Sequence, residues 1–223
     1  MPIDAFKQSV DAGDVLGAIL AIQSLTHLNE GYAELGELTP LMYASSTSPI
    51  SIMSELITHG AGVNTSDQDG WTPLHYATSN KNLEAFYLLL NAGADIDTQT
   101  HVGWTALHLA AEFEQVEMCR VLLNAGANIC LRENEYGWVP AHLSIRAKNI
   151  ECTNMFLDAG IDVNILDDDG WTLLHLAVFS ECSDITSTIL HRNPNLSMKN
   201  KDGFTARDLA LREDRSDILC LFK

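Results

Sequence analysis

The sequence predicts an all-α solenoid, a row of stacked helix-turn-helix units with projecting β-hairpin loops. Three observations carry this expectation. The motif Gly70 Trp71 Thr72 Pro73 Leu74 His75 returns as Gly103 Trp104 Thr105 Ala106 Leu107 His108, as Gly137 Trp138 Val139 Pro140 Ala141 His142, and as Gly170 Trp171 Thr172 Leu173 Leu174 His175; a weaker copy is Gly203 Phe204 Thr205 Ala206 Arg207 Asp208. The motif glycines lie 33, 34, 33 and 33 residues apart, and self-similarity at such a period marks a stacked array. The motif is followed by apolar stripes at helical spacing, as in Leu83, Phe86, Leu89 and Leu90. An array of this kind has no single core to close, so chain length counts repeats.

The period and the stretch Thr72 Pro73 Leu74 His75 Tyr76 Ala77 make the chain similar to the ankyrin-repeat family over nearly its whole length. The resemblance implies one repeat domain, residues 1–223, with approximate repeats at 2–30, 35–66, 67–98, 99–131, 132–165, 166–198 and 199–223. Residues 2–30 read as an N-terminal cap: Gly13 Asp14 separates two helices, with Ile3, Phe6 and Val10 on one apolar face and Val15, Ile19, Leu20 and Ile22 on the other. Residues 23–36 form the least regular connection.

Repeat two carries Thr39 Pro40 Leu41 Met42 Tyr43 Ala44 in the signature slot, with Pro49 at the start of its second helix. Repeat three fits best. Thr72 can cap its helix, Pro73 presets the first turn, and Gly93 can take the left-handed conformation that ends the second helix. Repeat four keeps the pattern. Repeat five is irregular, with one extra residue near 133–136 and Val139 in place of the capping Thr. Repeat six ends in His191 Arg192 Asn193 Pro194 instead of Gly Ala, and Arg207 and Asp208 give repeat seven the polar character of a C-terminal cap.

Thirty acidic against thirteen basic side chains give a net charge of −17. Nucleic acid, which requires a basic footprint, is an unexpected partner. Seven of the bases fall at or after Arg192, so the preceding chain holds 25 acids and 6 bases; this supports solubility and also the steering of a basic partner. No apolar run approaches the roughly 18 residues of a membrane span, and residues 1–10 show no export signal. Five cysteines without close pairing point to reduced thiols in a cytoplasmic or nuclear compartment.

Enzyme motifs are missing from the chain. His75, His108, His142 and His175 occupy one position in successive repeats, about 8–10 Å apart, too far to share an ion whose ligands stand about 2 Å from it. No metal and no cofactor are expected, and Asp167 Asp168 Asp169 reads as a solvated turn. In the family the linker between repeats can carry a hydroxylated Asn, which makes Asn64 and Asn164 the candidate positions; a plain bend residue is the simpler account.

The resemblance implies a non-catalytic protein-binding scaffold, monomeric, that meets a partner protein on its concave, finger-bearing face. All four tryptophans stand in one slot, so Trp71, Trp104, Trp138, Trp171 and Phe204 form a candidate binding stripe. Beside it the repeat alignment places Asp69, Ser79, Asn80, Glu112, Phe113, Tyr136, Arg146, Asp168 and Phe179. Packing of each Trp on the neighbouring finger explains the slot equally well. A binding role implies a partner segment with apolar anchors and some basic character, and Trp104→Ala and Trp138→Ala weakening it by more than about 1 kcal/mol. Two rivals stand beside this reading: a substrate-recruiting or regulatory arm of a larger enzyme or ubiquitin-ligase assembly, and a secreted microbial effector that binds host proteins.

Overall fold

The computed structural model describes residues 1–47 and 49–222. It holds fourteen α-helices among the described residues and falls into two compact units, 1–101 and 102–223. The first unit contains α1 (Pro2–Asp11), α2 (Val15–Ile22), a 3-10 turn (Ala33–Leu35), α3 (Pro40–Thr47), α4 (Ile50–Thr58), α5 (Pro73–Ser79) and α6 (Leu83–Asn91). The second contains α7 (Ala106–Glu112), α8 (Val116–Asn124), α9 (Pro140–Arg146), α10 (Ile150–Asp158), α11 (Leu173–Phe179), α12 (Ser183–Leu190), α13 (Ala206–Arg212) and α14 (Ser216–Leu219). Pro49 stands one position before α4, as its N-cap.

Within each unit, the helices pack like on like. α3 lies on α5, and α7, α9, α11 and α13 follow one another, while the second helices stack separately, α2 on α4 on α6 and α8 through α14. Fully buried Phe86 and Phe156 fill the second-helix layers, and buried Ala77, Ala110, Ala111 and Ala177 keep the first helices thin enough to approach closely. In α1 the buried stripe is Ile3, Phe6 and Val10, as its spacing predicts. In α2 it is Ala18, Ala21 and Ile22, whereas Leu20 is 65% exposed. That helix is apolar all round, so its sequence carries no contrast from which to read a face.

The second helices α4, α6, α8, α10 and α12 each close on a left-handed residue. Gly93 has φ 87° and Asn193, in repeat six, φ 53°, Asn being the residue after Gly that best tolerates this region. The loops between paired helices are also left-handed, at Gly13 and then at Lys81, Glu114, Lys148, Glu181 and Asp214, with φ of 54–59° at these last five.

The fingers are tight turns: in finger three Asp67 N–H donates to the Trp71 carbonyl at 3.0 Å and Gly70 N–H to the Asp67 carbonyl at 3.1 Å, finger six repeats both bonds, and among the described residues isolated bridges pair Tyr32 with Leu38 and Leu166 with Thr172. At the roots of fingers three, five, six and seven a side chain accepts N–H groups inside the turn. Asp67 Oδ1 takes those of Asp69 at 2.9 Å and Trp71 at 2.8 Å, and Asp167 Oδ1 those of Asp169 at 2.9 Å and Trp171 at 2.7 Å. Finger five, with its extra residue, has Glu133 at the root. Its Oε1 accepts from Tyr136 at 2.7 Å and Trp138 at 2.9 Å, and its Oε2 from Glu135 at 2.8 Å. One more residue in the loop is matched by one more methylene in the side chain that closes it.

Candidate functional site

The recurring Thr and His set the site's foundations. Thr105 N–H donates to His108 Nδ1 at 3.1 Å while Thr105 Oγ1 accepts from His108 N–H at 3.3 Å; Thr172 and His175 repeat the arrangement at 3.2 and 3.3 Å. This is a capping box with His in the place of Glu or Gln. Because Nδ1 accepts, the pattern assigns the ring proton to Nε2. From there His108 donates to the Trp138 carbonyl at 3.2 Å and His175 to the Phe204 carbonyl at 3.0 Å, so each ring caps its own helix and fastens the next finger.

Repeat five departs from this. Val139 N–H donates to His142 Nδ1 at 3.2 Å, but Val139 has no hydroxyl and the buried His142 Nε2 has no hydrogen-bond partner. Burial, aided by the positive charge of Arg132, pushes His142 down to about 3. Burial also lowers His175.

Beside that unfastened junction, in the second unit, opens a groove of about 650 Å³ lined by aromatic residues of repeats five and six and by finger seven. Trp138 is its most constrained ring. Tyr136 lies 5.1 Å away, the Arg146 guanidinium stands 5.0 Å over the face, His142 stacks at 6.2 Å, and Nε1 donates to Asp167 Oδ2 at 3.0 Å. Arg146 is held from the other side by Glu112 at 2.6 Å. Trp171 meets Phe179 edge to face at 5.2 Å, and Phe179 is 61% exposed. Leu176, Ser180, Glu181, Lys148, Asp169, Lys201 and Asp202 complete the lining.

Of the residues singled out in the sequence, the groove thus gathers Tyr136, Trp138, Arg146, Trp171 and Phe179. Glu112 acts through Arg146. Asp168 is not among them. Its carboxylate packs over Gly137, where a Cβ would stand 2.3 Å from Asp168 Oδ1, and its neighbours Asp167 and Asp169 face the groove instead. Phe113, at the end of α7, is exposed but does not line it. Phe204 is half-buried beneath Arg212, 5.3 Å over its ring, and Trp104 packs on His108 at 6.2 Å.

In the first unit Trp71 rests on Tyr76 at 5.3 Å and His75 at 5.9 Å. Asp69 is exposed and its carbonyl accepts from His101 N–H at 2.8 Å, Asn80 bonds back to the Tyr76 carbonyl at 2.9 Å, and Ser79 is half-buried. Asn64 and Asn164 link successive repeats: Asn64 Oδ1 accepts from Asp95 N–H at 2.9 Å and Asn164 Oδ1 from Asn195 N–H at 2.7 Å.

The structure also joins two residues that sequence spacing leaves apart. Cys119 on α8 and Cys152 on α10 are both wholly buried, and the neighbouring Cys152 thiol together with burial raises Cys119 above the usual thiol range. They stand 33 residues apart, one period, but the extra residue in finger five moves them to different positions of their repeats. That offset hid the contact.

A family model for ankyrin repeats in three copies matches residues 16–100 and again 86–167, and a model for the single ankyrin repeat matches 169–201. The chain belongs to the ankyrin-repeat family, whose repeats are protein–protein interaction modules. Among solved structures, the crystal structure of the ankyrin repeat domain of Bcl-3, described as a unique member of the IkappaB protein family, matches at a TM-score of 0.85 and 24% identity, over 98% of this chain and 97% of that one. At that identity the likeness is one of fold. No curated protein matches the chain, and among the described residues no helix is long and apolar enough to cross a membrane.

Proposed function

We propose that the chain is a non-catalytic scaffold that takes a segment of a partner protein into the groove between repeats five and six. The observation that carries this reading is the exposed aromatic pair, Tyr136 at 43% and Phe179 at 61%, flanking two half-buried tryptophans in one concavity. Large rigid rings gain contact area at small entropic cost, and binding hot spots are built from them. The same rings in a purely structural role would be covered.

Trp138 serves both purposes, since it also anchors Asp167 and Arg146, so Trp138→Ala mixes loss of binding with loss of local order. Phe179 and Tyr136 are the cleaner probes. A partner captured by the full chain should lose about tenfold or more in affinity on Phe179→Ala and on Tyr136→Ala, with helicity unchanged, and should ignore Leu16→Ala on α2. Full affinity in both groove variants would move the binding face elsewhere.

A further inference from the structure

The charges around the groove are sorted by side. The fingers contribute Asp167, Asp169 and Asp202 against Lys201, and the helix loops contribute Arg146 and Lys148 against Glu181. Some of these charges are already engaged: Arg146 by Glu112 at 2.6 Å and Glu181 by Arg215 at 2.6 Å. Lys201 and Asp169 are 3.9 Å apart and each 70% exposed, too solvated to bind one another firmly. The finger bank is therefore left acidic. The loop bank is left with Lys148, which has no ion pair among the described residues. Between the two banks lie Trp171, Leu176 and the exposed Phe179.

Resting on the groove reading above, we infer that the occupant is an extended protein segment carrying, on one face, a basic side chain, a large apolar side chain and an acidic side chain in succession. The basic group meets the acidic fingers, the apolar group lies on Phe179 and Trp171, and the carboxylate meets Lys148. In an extended chain every second side chain shares a face at about 7 Å spacing, so the three groups belong at positions i, i+2 and i+4. A segment can enter in either direction, which makes the opposition of the two charges the recognised feature, whatever their order along the segment. Opposed charge patterns of this kind govern partner choice more than raw affinity.

The test uses the full chain and three acetylated, amidated nonapeptides with the same central Phe, flanked two residues away on each side by Lys and Glu, by Lys and Lys, or by Glu and Glu. Affinity is read by calorimetry, and occupancy by the indole N–H resonances of the four tryptophans. The mixed peptide should bind about tenfold more tightly than either like-charged one, shift the Trp171 signal and lose binding on Phe179→Ala. Lys148→Glu should transfer the preference to the Lys–Lys peptide. Equal affinity for the mixed and Lys–Lys peptides, or no change of preference in Lys148→Glu, overturns the charge pattern while leaving the groove as a binding site. No Trp171 shift with any peptide, or binding indifferent to Phe179→Ala, overturns the groove itself.

Discussion

Replacing Val139 by Thr should stabilise the chain by about 1 kcal/mol. The position is already built for it. Val139 has φ −91° and ψ 164°, against −100° and 169° at Thr105 and −85° and 168° at Thr172, and it is fully buried, so a residue of the same shape enters without moving the backbone. In those two repeats the hydroxyl accepts from the His N–H at 3.3 Å and lies 2.8 and 2.7 Å from Nδ1. A helix cap contributes about 1 kcal/mol and the added hydrogen bond about 1 kcal/mol, while the methyl exchanged for oxygen costs about 0.8 kcal/mol of apolar burial. The remainder should raise the unfolding midpoint by about 2–4 °C. The assay is urea and thermal unfolding by far-UV circular dichroism, joined to amide hydrogen exchange on α9. Lacking both the cap and the Nε2 bond, repeat five should be the least protected internal repeat of the wild type, and Val139→Thr should raise protection there first. An unchanged or lower midpoint, with α9 already as protected as α7 and α11, would refute the reasoning and show that the buried methyl outweighs the cap.

Acid should weaken the chain before its carboxylates titrate. His142 is held at about 3, against an ordinary 6.5, so below 6.5 the unfolded chain binds a proton that the folded chain refuses, and stability falls with falling pH by about 2 kcal/mol between 6.5 and about 5. His142→Gln should flatten that part of the stability–pH curve. Glu133→Ala should cost about 2 kcal/mol, because three N–H groups lose a charged acceptor in a 4% exposed site; denaturant unfolding checks it, and a loss under about 0.5 kcal/mol would mean that water replaces the carboxylate. Glu114→Gly should gain about 0.5 kcal/mol, the relief of a left-handed residue at φ 58° exceeding the added freedom of glycine in the unfolded chain. A lower midpoint for that variant would locate a use for the Glu114 side chain.

The parts of this molecule that obey the period were open to reading, and the parts that break it were closed. A near-constant step between Gly70, Gly103, Gly137, Gly170 and Gly203 places every equivalent residue in its own repeat, which is why the aromatic slot, the inward Leu and Ala positions and the left-handed helix ends were legible. It also led from Trp171 to Phe179 and from Trp138 to Arg146, pairs eight residues apart that meet in the groove. Within Asp167 Asp168 Asp169 the pattern offered three equal carboxylates. Only the turn geometry, with one side chain folded into the root and the next over Gly137, could decide which face the groove. The extra residue in finger five read as an irregularity, and the compensation by Glu133 needed the backbone to be visible.

Glu133 also bears on how such arrays change. An insertion in a finger separates the root from the aromatic that it must hold, and a root side chain of fixed reach then leaves N–H groups stranded. Here the loop and its clasp have lengthened together, which makes the finger an exchangeable cassette only when its root travels with it. Grafting residues 134–137 into finger three while Asp67 stays in place would leave a clasp one methylene short. The same graft carrying Glu in place of Asp67 would close. Loop length on the finger side of the array is thus set by a single side chain at its base, and new finger shapes can arise without any change in the helices that carry them.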